Sequence, residues 1–201
     1  MEFKLRPGKP EDVPNFIETF FDGFSDHAPT VRIFPRGTKP VLDYWHRSLT
    51  EEIQDPAARF IVIEDTSTSS PTMAAFAKWV RVEATDKPEE PPADAWPENG
   101  DVDLARRFFG DLHTKHGEIM GGREHWFLEL IATKKAYQRK GLGARLVQWG
   151  VDEAGRDGWE CYLDSTPQGK RLYQKFGFRT LCTTDYPELK YTQDFMLRDK
   201  V

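Results

Sequence analysis

Residues Tyr137-Gln138-Arg139-Lys140-Gly141-Leu142-Gly143-Ala144 follow the apolar run Trp126–Ala132 and precede a helix-like segment from Arg145 to Trp149. A strand, a loop with two glycines and then a helix is an arrangement suited to holding a diphosphate. Gly141 and Gly143 lack side chains, so backbone N–H groups there can approach an anion closely. The first turn of the following helix adds unpaired donors and a partial positive charge. Lys134, Lys135, Arg139, Lys140 and Arg145 lie in this stretch without an acidic residue, while the whole chain has a net charge of −5. A local basic patch on an acidic chain points to a specific anionic ligand rather than to nucleic acid or an anionic membrane. The same residues also suit a solvated turn, where paired glycines are common. No P-loop pattern is present. A dinucleotide-binding G-x-G-x-x-G is broken by Leu146 three residues after Gly143.

The apolar run carries one carboxylate, Glu129. Enclosure by Phe127, Leu128, Leu130 and Ile131 would raise its pKa toward the range of a general base. The competing assignment is a structural carboxylate paired with an arginine or a backbone group. Strand alternation predicts Phe127, Glu129 and Ile131 on one face. Glu124 and His125, at the start of the same strand, are weaker candidates.

Two motifs in order carry a family resemblance. Gln138-Arg139-Lys140-Gly141-Leu142-Gly143 fills Q-x-x-G-x-G/A after an apolar strand. Thr166-Pro167-Gln168-Gly169-Lys170-Arg171-Leu172-Tyr173-Gln174-Lys175-Phe176-Gly177-Phe178 follows the form N-x-x-A-x-x-L-Y-x-x-x-G-F. Together they resemble the GNAT family of N-acetyltransferases, strongly over about the last 80 residues and in outline before them.

The resemblance implies an α/β fold, a mixed sheet of about seven strands with helices on both faces. It implies acetyl-CoA as cosubstrate and no metal, with the diphosphate on Gln138, Arg139, Lys140, Gly141, Leu142, Gly143 and Ala144. The fourth strand would part from the fifth and offer the backbone of Ile131, Ala132 and Thr133 to the pantetheine arm. The N–H of Ile131 would polarise the thioester carbonyl. Glutamates on this strand serve as bases in the family, directly or through water, which favours Glu129. Tyr173 would protonate the leaving sulfur; a phenol near pKa 10 suits a thiol near about 8.5. Thr166 stands where many members have Asn, and still offers a hydroxyl to the pantetheine amide. Gly169 stands where Ala is usual.

The function implied is transfer of an acetyl group to a primary amine of a small molecule or peptide, by direct attack in a ternary complex. A non-catalytic acyl-CoA sensor and a transferase of another acyl group, or to a hydroxyl, are the alternatives.

The elements that would position these groups can be read along the chain. The 201 residues suit one acetyltransferase domain, 1–201, with an insertion at 84–122 between the third and fourth strands. Phe3–Arg6 is a first strand. Val13, Phe16, Ile17, Phe20 and Phe24 have helical spacing. Ser25 to Pro40 is a loop, and Val41 to Gln54 a second helix. Arg59–Glu64 and Met73–Val82 form a hairpin. An acidic, proline-rich loop from Glu83 to Asp101 leads into a helix from Val102 to Met120, either a cover for the acceptor site or surface decoration. Arg123–Thr133, Trp159–Asp164, Phe178–Cys182 and Tyr191–Arg198 complete the strands. The acceptor pocket is expected from Phe24, His27, Arg32, Phe34, Tyr44, Trp45 and Trp79, and the acidic loop near Glu89 could attract a cationic amine.

Cys161 and Cys182 are expected as buried free thiols. With no apolar run near the ~20 residues needed to span a bilayer and no secretory leader, the expected state is cytoplasmic or nuclear, monomeric or homodimeric, without nucleic-acid or membrane partners.

Overall fold

The computed structural model describes residues 2–67, 69–84 and 96–200. The acidic segment around Glu89 lies outside them. The strands are β1 Phe3–Pro7, β2 Ala58–Asp65, β3 Thr72–Val82, β4 His125–Thr133, β5 Glu160–Ser165, β6 Arg179–Tyr186 and β7 Tyr191–Arg198. The helices are α1 Val13–Gly23, α2 Ala28–Ile33, α3 Lys39–Glu52, α4 Val102–Met120, α5 Leu142–Asp157 and α6 Lys170–Gln174. One seven-stranded sheet has the order β1-β2-β3-β4-β5-β7-β6. Only β4 and β5 run parallel; the other neighbours are antiparallel.

The two faces of the sheet carry different helices because alternate strand residues point opposite ways. Ile61, Ile63, Ala75, Ala77 and Trp79 pack under α5, against Leu146, Val147 and Ala154. Phe60, Val62 and Phe76 pack against α1, α3 and α4, through Phe16, Phe20, Leu49 and Phe108. Further along that face α4 sets Met120 over Tyr162, Phe195 and Leu197. α4 therefore crosses a sheet face and contributes to the core.

The expected loop from Ser25 to Pro40 contains a short helix, α2. His27 caps it, its Nδ1 accepting from the Thr30 N–H at 3.3 Å, and Pro29 sits in its first turn. A side-chain cap and a fixed φ start a turn that apolar spacing alone does not announce. Cys161 is buried as expected, whereas Cys182 is only half-buried; both are free.

Candidate active site

β4 pairs with β5 only from His125 to Leu128, opposite Glu160 to Leu163. Beyond that point β4 continues to Thr133 on β3 alone, and the β5 side of the strand is open. Lys134 N–H donates to Ala74 O at 3.0 Å. Alternation then turns the N–H and C=O of Ala132 toward β3, and those of Ile131 and Thr133 away from it. Of the three residues expected to offer backbone groups, Ile131 and Thr133 face outward, while Ala132 belongs to the ladder. α1 closes on the far end of this edge, where a Cβ on Gly23 would lie 3.0 Å from Thr133 O.

The loop that follows bends through two left-handed residues, Arg139 at φ 60° and Gly141 at φ 79°. Gly141 caps α5, which begins at Leu142, three residues earlier than the sequence pattern suggests. Arg145 is the first residue whose N–H reaches a helical acceptor, Gly141 O at 3.2 Å. The N–H groups of Leu142, Gly143 and Ala144 have no acceptor within the helix, the expected state of a first turn. A side chain at Gly141 would meet nothing within 4 Å, whereas a Cβ at Gly143 would sit 3.2 Å from Leu172 Cδ2 of α6. The loop thus sets the unpaired first-turn amides of α5 beside the open edge of β4.

The basic patch is smaller than its sequence. Lys134 pairs with Glu18 at 3.1 Å and Lys135 with Asp26 at 3.6 Å, both carboxylates from the first helix and its exit. Arg145 reaches Phe3 O at 3.3 Å. Gln138 Nε2 donates to Thr133 O at 3.2 Å, tying the loop to the end of β4. The first-turn amides add partial positive charge to what Arg139, Lys140 and Arg145 retain.

Glu129 departs from expectation in two ways. It has no partner on β3, because Lys78 pairs with Leu130 and Trp79 with Leu128. This bulge reverses the phase of the strand: Leu128 packs on the α5 side and Leu130 on the other, and Ile131 returns to the α5 side. Phe127 and Ile131 consequently lie on opposite faces, not on one. Nor is Glu129 enclosed by apolar groups. Its side chain is 40% exposed and pairs with Lys78 Nζ at 2.7 Å. Lys78 is buried and also holds Glu52 of α3 at 2.9 Å. Burial opposes its charge, but the two carboxylates outweigh burial and hold the ammonium well above the ordinary lysine range.

Tyr173 lies on α6, buried, with its ring against Phe178. A Cβ at residue 169 would stand 2.8 Å from Tyr173 Cε2, so Gly169 makes room for the ring where Ala would crowd it. Burial raises the phenol above its ordinary pKa, so it stays protonated at neutral pH. Thr166 Oγ1 accepts from Gly169 N–H at 3.2 Å and caps this turn.

All of these groups border one cleft of about 2160 Å³, which runs from the loop before α5, past Ile131 and Tyr173, to an aromatic chamber. Phe24, His27, Phe34, Tyr44 and Trp45 line it, as expected. Trp79 does not: it lies under α5, its Nε1 donating to Leu146 O at 3.2 Å. Arg32 is turned to Asp101 outside the cleft. The chamber has stacked pairs, Trp96 on Phe109 at 4.6 Å and Phe34 on Tyr44 at 5.5 Å. α4 supplies Phe108, Phe109, Leu112, His113 and His116 to the wall.

The sequence reading missed Asp164. It lies on β5, one residue past the last pair with β4, and lines the cleft. Its signal was an acidic residue at the end of the strand that parts from β4. His125 donates from Nδ1 to Arg123 O at 2.7 Å, which leaves its Nε2 to accept from His116 Nε2 at 2.6 Å. That pair ties α4 to the start of β4. Among the described residues no cluster of three His, Cys, Asp or Glu could hold a metal, and no helix is long and apolar enough to cross a membrane.

Residues 106–180 match a family model described as an acetyltransferase (GNAT) domain. Among solved structures the chain is similar to arylalkylamine N-acetyltransferase 2 from Aedes aegypti, with a TM-score of 0.75 at 13% identity over 99% of both chains. It is also similar to the C-terminal condensation domain of Ebony in complex with beta-alanyl-dopamine, with a TM-score of 0.73 at 13% identity over 100% of both chains. A third is an N-acetyltransferase from Thermoplasma acidophilum in complex with coenzyme A, with a TM-score of 0.58 at 16% identity and 99% of both chains covered.

Proposed function

We propose, from the premise that this chain has the GNAT fold and carries a GNAT acetyltransferase segment, that it transfers an acetyl group from acetyl-CoA to a primary amine. The observation that carries this reading is the parting of β4 from β5 after Leu128, directly ahead of the amide-rich first turn of α5. When bound, acetyl-CoA supplies an acyl carbon activated by a thiol leaving group.

The chain's own residues divide the remaining work. The N–H groups of Leu142, Gly143 and Ala144 would hold the diphosphate, with Gly141 shaping the turn. The outward N–H of Ile131 would receive charge developing on the acyl oxygen. Tyr173, kept protonated by burial, would give its proton to the departing sulfur. Glu129, anchored by Lys78, would receive or relay protons at the exposed edge of the cleft.

The chamber favours an acceptor with a flat, apolar body. Phe34, Tyr44, Trp96 and Phe109 present stacked and tilted rings to it, and such surfaces bind aromatic groups well. The two neighbours with the highest TM-scores reported above, named for arylalkylamines and for a dopamine conjugate, support that preference. The test is release of free thiol from acetyl-CoA in the presence of aryl-alkyl, polyamine and peptide amines. Turnover with aryl-alkylamines supports the reading. Coenzyme A binding without thiol release from any amine would replace it with a sensor.

A further inference from the structure

Among the described residues most inward-facing carboxylates meet a cation; Asp65 is instead held by the Ser67 amide and hydroxyl, and Asp164, in the wall of the cleft, meets no cation. Asp12 receives Arg6 at 2.6 Å. Asp194 takes Lys170 at 3.0 Å and the Thr183 hydroxyl at 2.7 Å. Lys78 serves both Glu52 and Glu129. Asp164 has a single hydrogen bond, from the Tyr162 hydroxyl to its Oδ1 at 2.6 Å.

Among the described residues, the titratable groups that act on it bring no positive charge; Lys115 of α4 reaches toward Cys182 but is paired with Glu118 at 2.6 Å. Glu129 faces it from β4, Cys182 and Tyr186 from β6, and Tyr191 from β7. From α4, His116 stacks on Tyr162 at 4.5 Å, and burial lowers that imidazole to about 3, so it is neutral. Protein atoms enclose the carboxyl, yet the residue keeps an opening to the cleft. Burial, with a smaller contribution from the Glu129 charge, pushes it up to about 7 against the opposing Tyr162 bond.

A carboxylate that a fold leaves without a cation, at the wall of a ligand cleft, is a place for a cation from outside. We propose that Asp164 docks the acceptor's ammonium group and takes the proton that must leave nitrogen before its lone pair can attack. This rests on the transferase reading above. Placement agrees with it: Asp164 is the first β5 residue past the point where β4 separates, so it borders the gap on whose other side Ile131 lies.

The protons balance. The first ammonium proton passes to Asp164 and then to water. The nitrogen lone pair forms the N–C bond as the C–S bond breaks, and the electron pair goes to sulfur. Tyr173 protonates that sulfur, and the second nitrogen proton restores the phenol. One proton is released per turnover.

The experiment compares the parent protein with Asp164→Asn, using 2-phenylethylamine as probe. In the parent, kcat/KM rises with pH through about 7, because the base must be ionised. In Asp164→Asn that limb is absent and the neutral-pH rate falls by about 100-fold or more. The remaining rate climbs about tenfold per pH unit as free amine replaces ammonium, since one proton is removed per molecule. Asp164→Glu recovers part of the loss, and coenzyme A affinity by calorimetry is the same in all three proteins. A variant Asp164→Asn that keeps the parent's limb and rate would overturn the assignment. So would equal affinity of parent and Asp164→Asn for the amine in calorimetry, a measurement that needs no turnover. Failure of the parent to bind coenzyme A would instead overturn the transferase reading, and this assignment with it.

Discussion

Two glycines on one helix give opposite predictions. A Cβ on Gly150 would lie 2.0 Å from Trp79 Cε2, 2.3 Å from Cζ2 and 2.4 Å from Cδ2. Contact between carbon atoms is comfortable at about 3.5–4.0 Å, so the ring would need to withdraw by about 1.5 Å. It has no room to do so: Trp79 is fully buried, against Ala75, Ala77, Trp126 and Leu128, and its Nε1 is held by Leu146 O. Overpacking of this kind costs about 1–3 kcal/mol, and loss of the indole hydrogen bond adds about 1 kcal/mol. The better helix propensity of alanine offsets about 1 kcal/mol. Gly150→Ala is therefore expected to destabilise by about 1–3 kcal/mol. Gly155 lies on the same helix, with nothing within 4 Å of its added Cβ. Gly155→Ala keeps only the propensity term and should stabilise by about 0.5–1 kcal/mol. In urea unfolding, with a slope of about 2 kcal/mol per molar, the first midpoint falls by about 0.5–1.5 M and the second rises by about 0.3–0.5 M. A Gly150→Ala midpoint at or above the parent's would refute the packing argument. Equal shifts in the two variants would show that the helix, not the ring, decides.

Gly143→Asp places a carboxylate among the first-turn amides of α5 and presses a Cβ toward Leu172. Calorimetry should show coenzyme A affinity reduced by at least about 100-fold, on the scale of a few kcal/mol for like charges brought together; unchanged affinity would move the diphosphate elsewhere. Tyr173→Phe removes the buried hydroxyl and keeps the ring on Gly169 and Phe178. Turnover should fall by about 100-fold with coenzyme A affinity preserved, and equal turnover would take Tyr173 out of the chemistry.

Much of this architecture was legible because its signals are local. β7 spans Tyr191–Arg198 as expected, and α4 spans Val102–Met120, closed by the left-handed Gly121. The turn glycines ahead of α5 mark a real change of direction, with Gly141 in the left-handed region. What could not be read is what depends on a second chain segment. A bulge is a mismatch between two strands, so the residues of β4 alone cannot reveal it, and alternation carried through Glu129 gave the wrong face for Ile131. The partners of Lys134 and Lys135 come from residues more than 100 positions away, so the loop looked more basic than it is. Trp79 was legible as a large aromatic, but its face depends on Gly150, which only the α5 crossover brings beneath it. Asp164 was visible as an acid at a strand end; its lack of a cation is a property of β4, β6, β7 and α4 together.

The bulge also explains how one strand can serve two masters. Up to Leu128, β4 must bond to neighbours on both sides, and its side chains are correspondingly buried: Trp126 and Leu128 under α5. After Leu128 it must keep β3 and release β5. Inserting one residue there turns Glu129 to Lys78, where its charge is met, and brings Leu130 and Ala132 onto the α1 face. Ile131 is left with its backbone toward the gap and its side chain toward α5. A strand without the extra residue would place the backbone of Ile131 in the β3 ladder, because a shift of one position exchanges the two edges as well as the two faces. The outward turn of the Ile131 backbone and the neutralisation of Glu129 are thus consequences of the same local change. Lys78 meets the charge of Glu52 and Glu129, whereas Asp164, beside the gap, has only the Tyr162 hydroxyl.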